Sequence, residues 1–191
     1  MAWKAIDRVN APAEESPSLS EPLKEKIRGF FDRYPTKRAV LIPALHMIQD
    51  DHGYVGWKAM EEVAELLEIT PSDVFDTVSF YSHFWTHPKG EKVVMACRSI
   101  SCDLLGADRV LDECKKVLGI GDHETTPDGK YSLMTEECLA ACDHGPCLMI
   151  NEKMHKCVDP ANVRKILEDD ANDKLDIPRS NLYDGANRTS A

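Results

Sequence analysis

Seven cysteines are spread along the 191 residues, and three of them fall inside the eleven-residue stretch ECLAACDHGPC, Glu137 to Cys147. Sulfur at that density serves one of four chemistries: a disulfide, a zinc site, a redox dithiol or an iron–sulfur cluster. Spacing sorts them. Cys97 and Cys102 form C-x4-C, Cys138 and Cys142 form C-x3-C, and thirty-five residues separate the pairs. A catalytic dithiol needs C-x-x-C at a helix start, and the chain contains none. The odd count, and an N-terminus that lacks the apolar core of a signal peptide, set the expectation of a reducing cytoplasm, where thiols bind metal more often than they pair.

A [2Fe–2S] cluster takes two thiolates per iron, and its negative charge calls for backbone N–H donors and small neighbours that let the chain approach. Ala140, Ala141, Gly106 and Gly145 are such neighbours, Ser99 and Ser101 add hydroxyls, and Arg98 adds positive charge. On this reading Cys97 and Cys102 hold one iron, and Cys138 and Cys142 hold the other. Zinc is the rival: Cys138, Cys142, His144 and Cys147 can be drawn as a site, at the cost of leaving Cys97 and Cys102 without work. Plain buried thiols are the third reading. The residues alone leave all three open.

The elements that must position these sulfurs change character near Pro88-Lys89-Gly90. Residues 1–20 read as a flexible arm and residues 169–191 as a flexible tail. Residues 21–88 read as an N-terminal helical domain of three or four helices. Leu23, Ile27, Phe30, Phe31 and Tyr34 share one face, then Leu41, Leu45 and Ile48, with Pro43 expected to bend that second segment. Met60, Val63, Ala64 and Leu67 make a third stripe, and the acidic run EEVAELLE is its solvated face. A fourth helix opens on Thr70 as N-cap, Pro71 and Asp73, and is expected to carry Phe80, Tyr81, Phe84 and Trp85. Residues 91–168 have a different period. KVVMAC is a strand, Leu105 to Leu118 a helix, KYSLM a second strand, CLMI and MHKCV a hairpin across Asn151-Glu152-Lys153, and a last helix starts at Asp159-Pro160. The order is that of an α/β thioredoxin-like domain. Cys97 then ends a strand and Cys102 opens a helix, at the sheet edge where open α/β folds bind ligands, and the second pair returns to the same edge.

A formal charge of −10 excludes the concentrated Lys/Arg surface that nucleic acid requires, and the helices before Pro88 carry more carboxylates than Lys and Arg together. No run of 18 apolar residues is present to insert directly into a membrane.

CRSISC followed by ECLAACDHGPCLMIN, preceded by LIPALHMIQDDHGYV and TPSDVFDTVSFYSHF, resembles the E-type, thioredoxin-like [2Fe–2S] subunits of NADH:quinone oxidoreductase, respiratory complex I, over residues 21 to 168. The resemblance implies a thioredoxin-like [2Fe–2S] ferredoxin domain preceded by the N-terminal helices. It implies one [2Fe–2S] cluster on Cys97, Cys102, Cys138 and Cys142, exchanging single electrons with FMN on a flavin-bearing, NADH-binding partner, among the other peripheral-arm subunits of the complex. NADH and FMN would have no site on this chain. The location implied is cytoplasmic, peripheral to the inner face of the cell membrane. Related subunits occur in NAD-linked hydrogenases and formate dehydrogenases, and a zinc-bound assembly module remains the non-redox alternative. Two departures stand out: Ala140 replaces a common glycine, and Gly145-Pro146-Cys147 replaces a common Ala-Pro-Val. The second puts a fifth thiol near the cluster. Cys147 is read as a packing residue at a strand start and held outside the site, and Cys114 and Cys157 as core thiols. His46 with Asp50, and His83 with His87, lack a third ligand. Most of the FYSHFW rings are expected in the core, with part of them, Trp85 included, meeting the partner.

Overall fold

The computed structural model describes residues 17–170, and these part into two compact units between Pro88 and Lys89. Most of the expected arm and tail therefore lies outside the described residues. At the margins, Leu19 is buried, with its N–H donated to Glu62 Oε2 at 3.0 Å, and Ser20 caps the first helix. Asp170, 2% exposed, is held by Lys153 Nζ and His155 Nε2, each at 2.6 Å.

The first unit is helical: α1 (Glu21–Arg28), α2 (Leu41–His52), α3 (Trp57–Leu67) and α4 (Pro71–Phe80). Its core gathers Leu23, Ile27, Leu45, Ile48, Val63, Leu67 and Val78, the residues whose 3.6-residue spacing puts them on one stripe per helix. Pro43 does not bend α2. It falls in the first turn, where a missing N–H breaks no intrahelical bond. The α4 start is a full capping box, Thr70 Oγ1 accepting from Asp73 N–H and Asp73 accepting from Thr70 N–H, both at 3.2 Å. Its end comes early, with Tyr81 already extended, so the FYSHFW rings do not share a helix. Phe80 and Tyr81 are exposed, whereas Phe84 and Trp85 are each 7% exposed. Phe84 joins the core of this unit, and the Trp85 N–H is tied to Gln49 Oε1 at 2.8 Å.

The second unit is a five-stranded mixed sheet in the order β2-β3-β1-β4-β5, flanked by helices. Its strands are β1 (Lys92–Cys97), β2 (Glu124–Thr125), β3 (Tyr131–Glu136), β4 (Leu148–Ile150) and β5 (Lys153–His155). β1 is central and buried along nearly its whole length, which explains its unbroken apolar run. It runs parallel to β3 and antiparallel to β4. The helix expected over Leu105–Leu118 is two: α5 (Ile100–Leu104) and α6 (Ala107–Leu118), broken at Gly106, whose φ of 92° suits glycine. α7 (Val163–Asp170) closes the unit after a 3-10 turn at Pro160–Asn162. Among the described residues no helix is long and apolar enough to cross a membrane.

Candidate metal centre

Register brings the sulfurs together. Because β1 and β3 are parallel neighbours, their C-terminal ends share one edge, and Cys97 pairs with Glu136, two residues before Cys138. On the other side β4 runs back from that edge, with Ala96 opposite Leu148, so Cys97 N–H donates to the Cys147 carbonyl at 3.2 Å. Cys97 therefore sits between the strand that feeds the second cysteine loop and the strand that leaves it. α5 then folds Cys102 back beneath this edge, 1% exposed.

Donors from both loops face the sulfurs. Cys97 sulfur faces the N–H of Ser99 in its own loop and that of Leu139 in the other. Burial pushes the Cys97 thiol up, but these two donors, the Cys102 thiol and the Ser99 hydroxyl outweigh it and hold it below its ordinary value. Cys102 moves the opposite way, to about 12, through burial and then the neighbouring Cys97, with only the Cys147 N–H opposing.

In the second loop Cys138 and Cys142 sulfurs stand 3.8 Å apart. Two thiolates on one tetrahedral metal, with bonds of about 2.3 Å, stand about 3.8 Å apart. Ala140 N–H donates to Cys138 Sγ at 3.3 Å, and Ser99 Oγ lies 3.9 Å from Cys142 Sγ, a further tie between the loops. These donors and distances fit a [2Fe–2S] group, whose sulfurs need backbone N–H partners. The first pair is buried and the second exposed, so the centre is set deep on one side and open on the other.

The small residues matter individually. Gly145 packs so closely that a Cβ there would stand 3.2 Å from Cys102 Sγ and 3.0 Å from Leu105 Cδ1. Ala140, in place of the common glycine, keeps a left-handed φ of 57°. Arg98 does not offer its charge freely to the site; it pairs with Glu137. Leu139 and its N–H are invisible to a search by side-chain type, because the contribution comes from the backbone.

Other candidates are placed elsewhere. Among the described residues no three His, Cys, Asp or Glu side chains gather closely enough to hold one ion. The zinc set is not assembled: His144 Nδ1 faces Asp143 at 2.9 Å, and Cys147 Sγ, buried, donates to the His144 and Ala141 carbonyls at 3.2 and 3.5 Å. Cys114 is in the core of the second unit, where burial pushes its thiol up to about 12. Cys157, expected in the core, is exposed: β5 ends at His155, and Cys157 follows in a left-handed conformation with φ 50°. Around the cysteines Ile100, Leu104 and Leu105 are exposed, at 77%, 81% and 54%.

A model of the thioredoxin-like [2Fe-2S] ferredoxin family matches residues 27–171. An E-type subunit of NADH-quinone oxidoreductase from Rhizobium meliloti (strain 1021) is 36% identical over 146 residues, covering 76% of this chain and 87% of that protein. NADP-reducing hydrogenase subunit HndA of Solidesulfovibrio fructosivorans is 34% identical over 164 residues, covering 86% of this chain and 95% of that one. Among solved structures, an NAD+-reducing [NiFe]-hydrogenase in the H2-reduced state shares the fold with a TM-score of 0.60 at 19% identity, over 73% of this chain and 23% of the hydrogenase chain. With the sulfur geometry, the strand order and a family match over most of its length in agreement, this chain belongs to the thioredoxin-like [2Fe-2S] ferredoxin family.

Proposed function

We propose that the chain is the [2Fe–2S] electron-carrying subunit of the NADH-oxidising module of an NADH:quinone oxidoreductase, exchanging single electrons with FMN on a flavin-bearing partner. The observation that carries the reading is the approach of Ser99 Oγ to Cys142 Sγ, 3.9 Å across the two cysteine loops, beside Cys138 and Cys142 sulfurs that stand 3.8 Å apart. The assigned ligands are Cys97 and Cys102 on one iron, Cys138 and Cys142 on the other. When bound, the cluster supplies a one-electron redox couple.

The chain's own residues do the rest. The Ser99 and Leu139 N–H groups face Cys97 sulfur and favour its ligating thiolate form, and the Ala140 N–H donates to Cys138 Sγ at 3.3 Å. Burial of Cys97 and Cys102 keeps water from one side. The exposed second pair, flanked by Ile100, Leu104 and Leu105, presents the other side to a partner whose surface covers those apolar groups. The translocase activity belongs to the whole assembly, which holds the membrane-facing parts; this chain is peripheral to the inner face of the cell membrane.

A hydrogenase host is the second reading, favoured by the relative HndA, which the match covers over 95% of its length. Purification from its native source, followed by NADH addition, tests both. The expected result is bleaching of the cluster's visible absorbance in the assembly, together with a flavoprotein and quinone reductase subunits, and no bleaching of the isolated chain. Co-purifying hydrogenase subunits would transfer the assignment to that host. Bleaching of the isolated chain by NADH would overturn the division of labour proposed here.

A further inference from the structure

The fifth thiol of the site, Cys147, reads as packing in the sequence, yet its backbone is held against both Cys97 and Cys102. It is 2% exposed and packs in one cluster with Cys97 and Cys102. Its carbonyl accepts the Cys97 N–H at 3.2 Å, its N–H faces Cys102 sulfur, and the Cys102 and Cys147 thiols lie within interacting reach. The backbone at Cys147 is thus fixed against both members of the buried pair. Its own thiol is spent on two carbonyls, Ala141 and His144, contacts of a weak donor that cost little to give up. The second pair has no buried thiol behind it: Cys157, whose N–H donates to the His144 carbonyl at 2.8 Å, is exposed, and Cys114 lies on α6 in the core of the second unit.

Resting on the cluster assignment above, we propose that Cys147 is a reserve ligand for the iron of the Cys97/Cys102 pair, taking Cys102's place when that sulfur is lost. A side-chain rotation on a fixed backbone moves the sulfur from the carbonyls toward the metal. The Cys147 thiol gives its proton to water, its sulfur forms the bond to iron that Cys102 sulfur no longer makes, and no electron is transferred. Gly145, two residues before, leaves the room: a Cβ there would already touch Cys102 sulfur at 3.2 Å. The site therefore has asymmetric tolerance, with a spare ligand on its buried side and none on its exposed side.

The test uses the full chain and reads iron, acid-labile sulfide and the absorption and electron paramagnetic resonance spectra, with a thermal melt of each variant to show folding. Cys102→Ala is expected to retain the cluster with a shifted spectrum, and Cys147→Ala to retain it unshifted. Cys102→Ala combined with Cys147→Ala is expected to lose iron and sulfide together, as is Cys142→Ala alone. A folded Cys102→Ala chain without a cluster overturns the reserve role, and so does a double variant that keeps one. Wild-type chain that lacks sulfide would instead overturn the cluster assignment itself, so the two failures are distinct.

Discussion

Gly145→Ala adds one methyl group at the tightest point of the centre. Gly145 has φ −67° and ψ 159°, a backbone any residue adopts, so the consequence is steric alone. The new Cβ would stand 3.0 Å from Leu105 Cδ1, 3.2 Å from Cys102 Sγ and 3.4 Å from Cys102 Cα. Leu105 is half exposed and swings away. Cys102 cannot, since α5 fixes its backbone and its side chain is buried. Overpacking of this kind costs about 1–3 kcal/mol, and the reduced freedom of the unfolded alanine chain returns about 0.4–1 kcal/mol. The net is a loss of about 1 kcal/mol, a fall in Tm of about 4 °C for the cluster-free protein. The larger effect falls on the metal, because the displaced atom is a proposed ligand: the variant is expected to release iron to a chelator faster and to bind less of it. Differential scanning calorimetry, with iron and sulfide per chain measured in parallel, reads both. Full loading, unchanged release and an unaltered or raised Tm would refute the reasoning.

Two further changes follow from the same region and its core. Ala140→Gly relieves a left-handed alanine while keeping the N–H that serves Cys138, so the urea midpoint should rise by the equivalent of about 0.5–1 kcal/mol with the slope unchanged; an unchanged midpoint would count against strain at this residue. Cys114, raised from 9.0 to about 12 by burial, contributes stability that is fully present below pH 9 and is lost as pH rises toward 12. Cys114→Ala should therefore be less stable near neutrality through lost packing, yet decline less steeply than the wild type between about pH 9 and about pH 11 in chemical denaturation. Equal slopes would place the alkaline loss on other groups.

How far the sequence reaches depends on whether the signal is periodic or positional. β1 is legible to the residue, because a central strand buried on both faces leaves an unbroken apolar run, and Thr70-Pro71-x-Asp73 announces α4 because its atoms do the capping. The α5–α6 break is hidden for a physical reason: Leu105 reads as the start of the helix but is exposed, and the real boundary is Gly106, whose left-handed φ has no periodic signature. The same effect carries Tyr81 and Trp85 onto a helix that ends at Phe80. Cys157 is misplaced because the expected strand MHKCV ends at His155, three residues early. In the site, cysteine spacing identifies which sulfurs to consider, while their approach to one another rests on strand register and on the Leu139 N–H, features that depend on the folded backbone and not on side-chain identity.

The central claim, that two separated cysteine pairs meet as one dinuclear site, is tested most directly by chemical analysis of anaerobically purified chain together with its electron paramagnetic resonance spectrum after dithionite. Two iron and two acid-labile sulfide per chain, with the signal of a single reduced [2Fe–2S] centre, is the expected result. Colourless protein carrying zinc and no sulfide would contradict it.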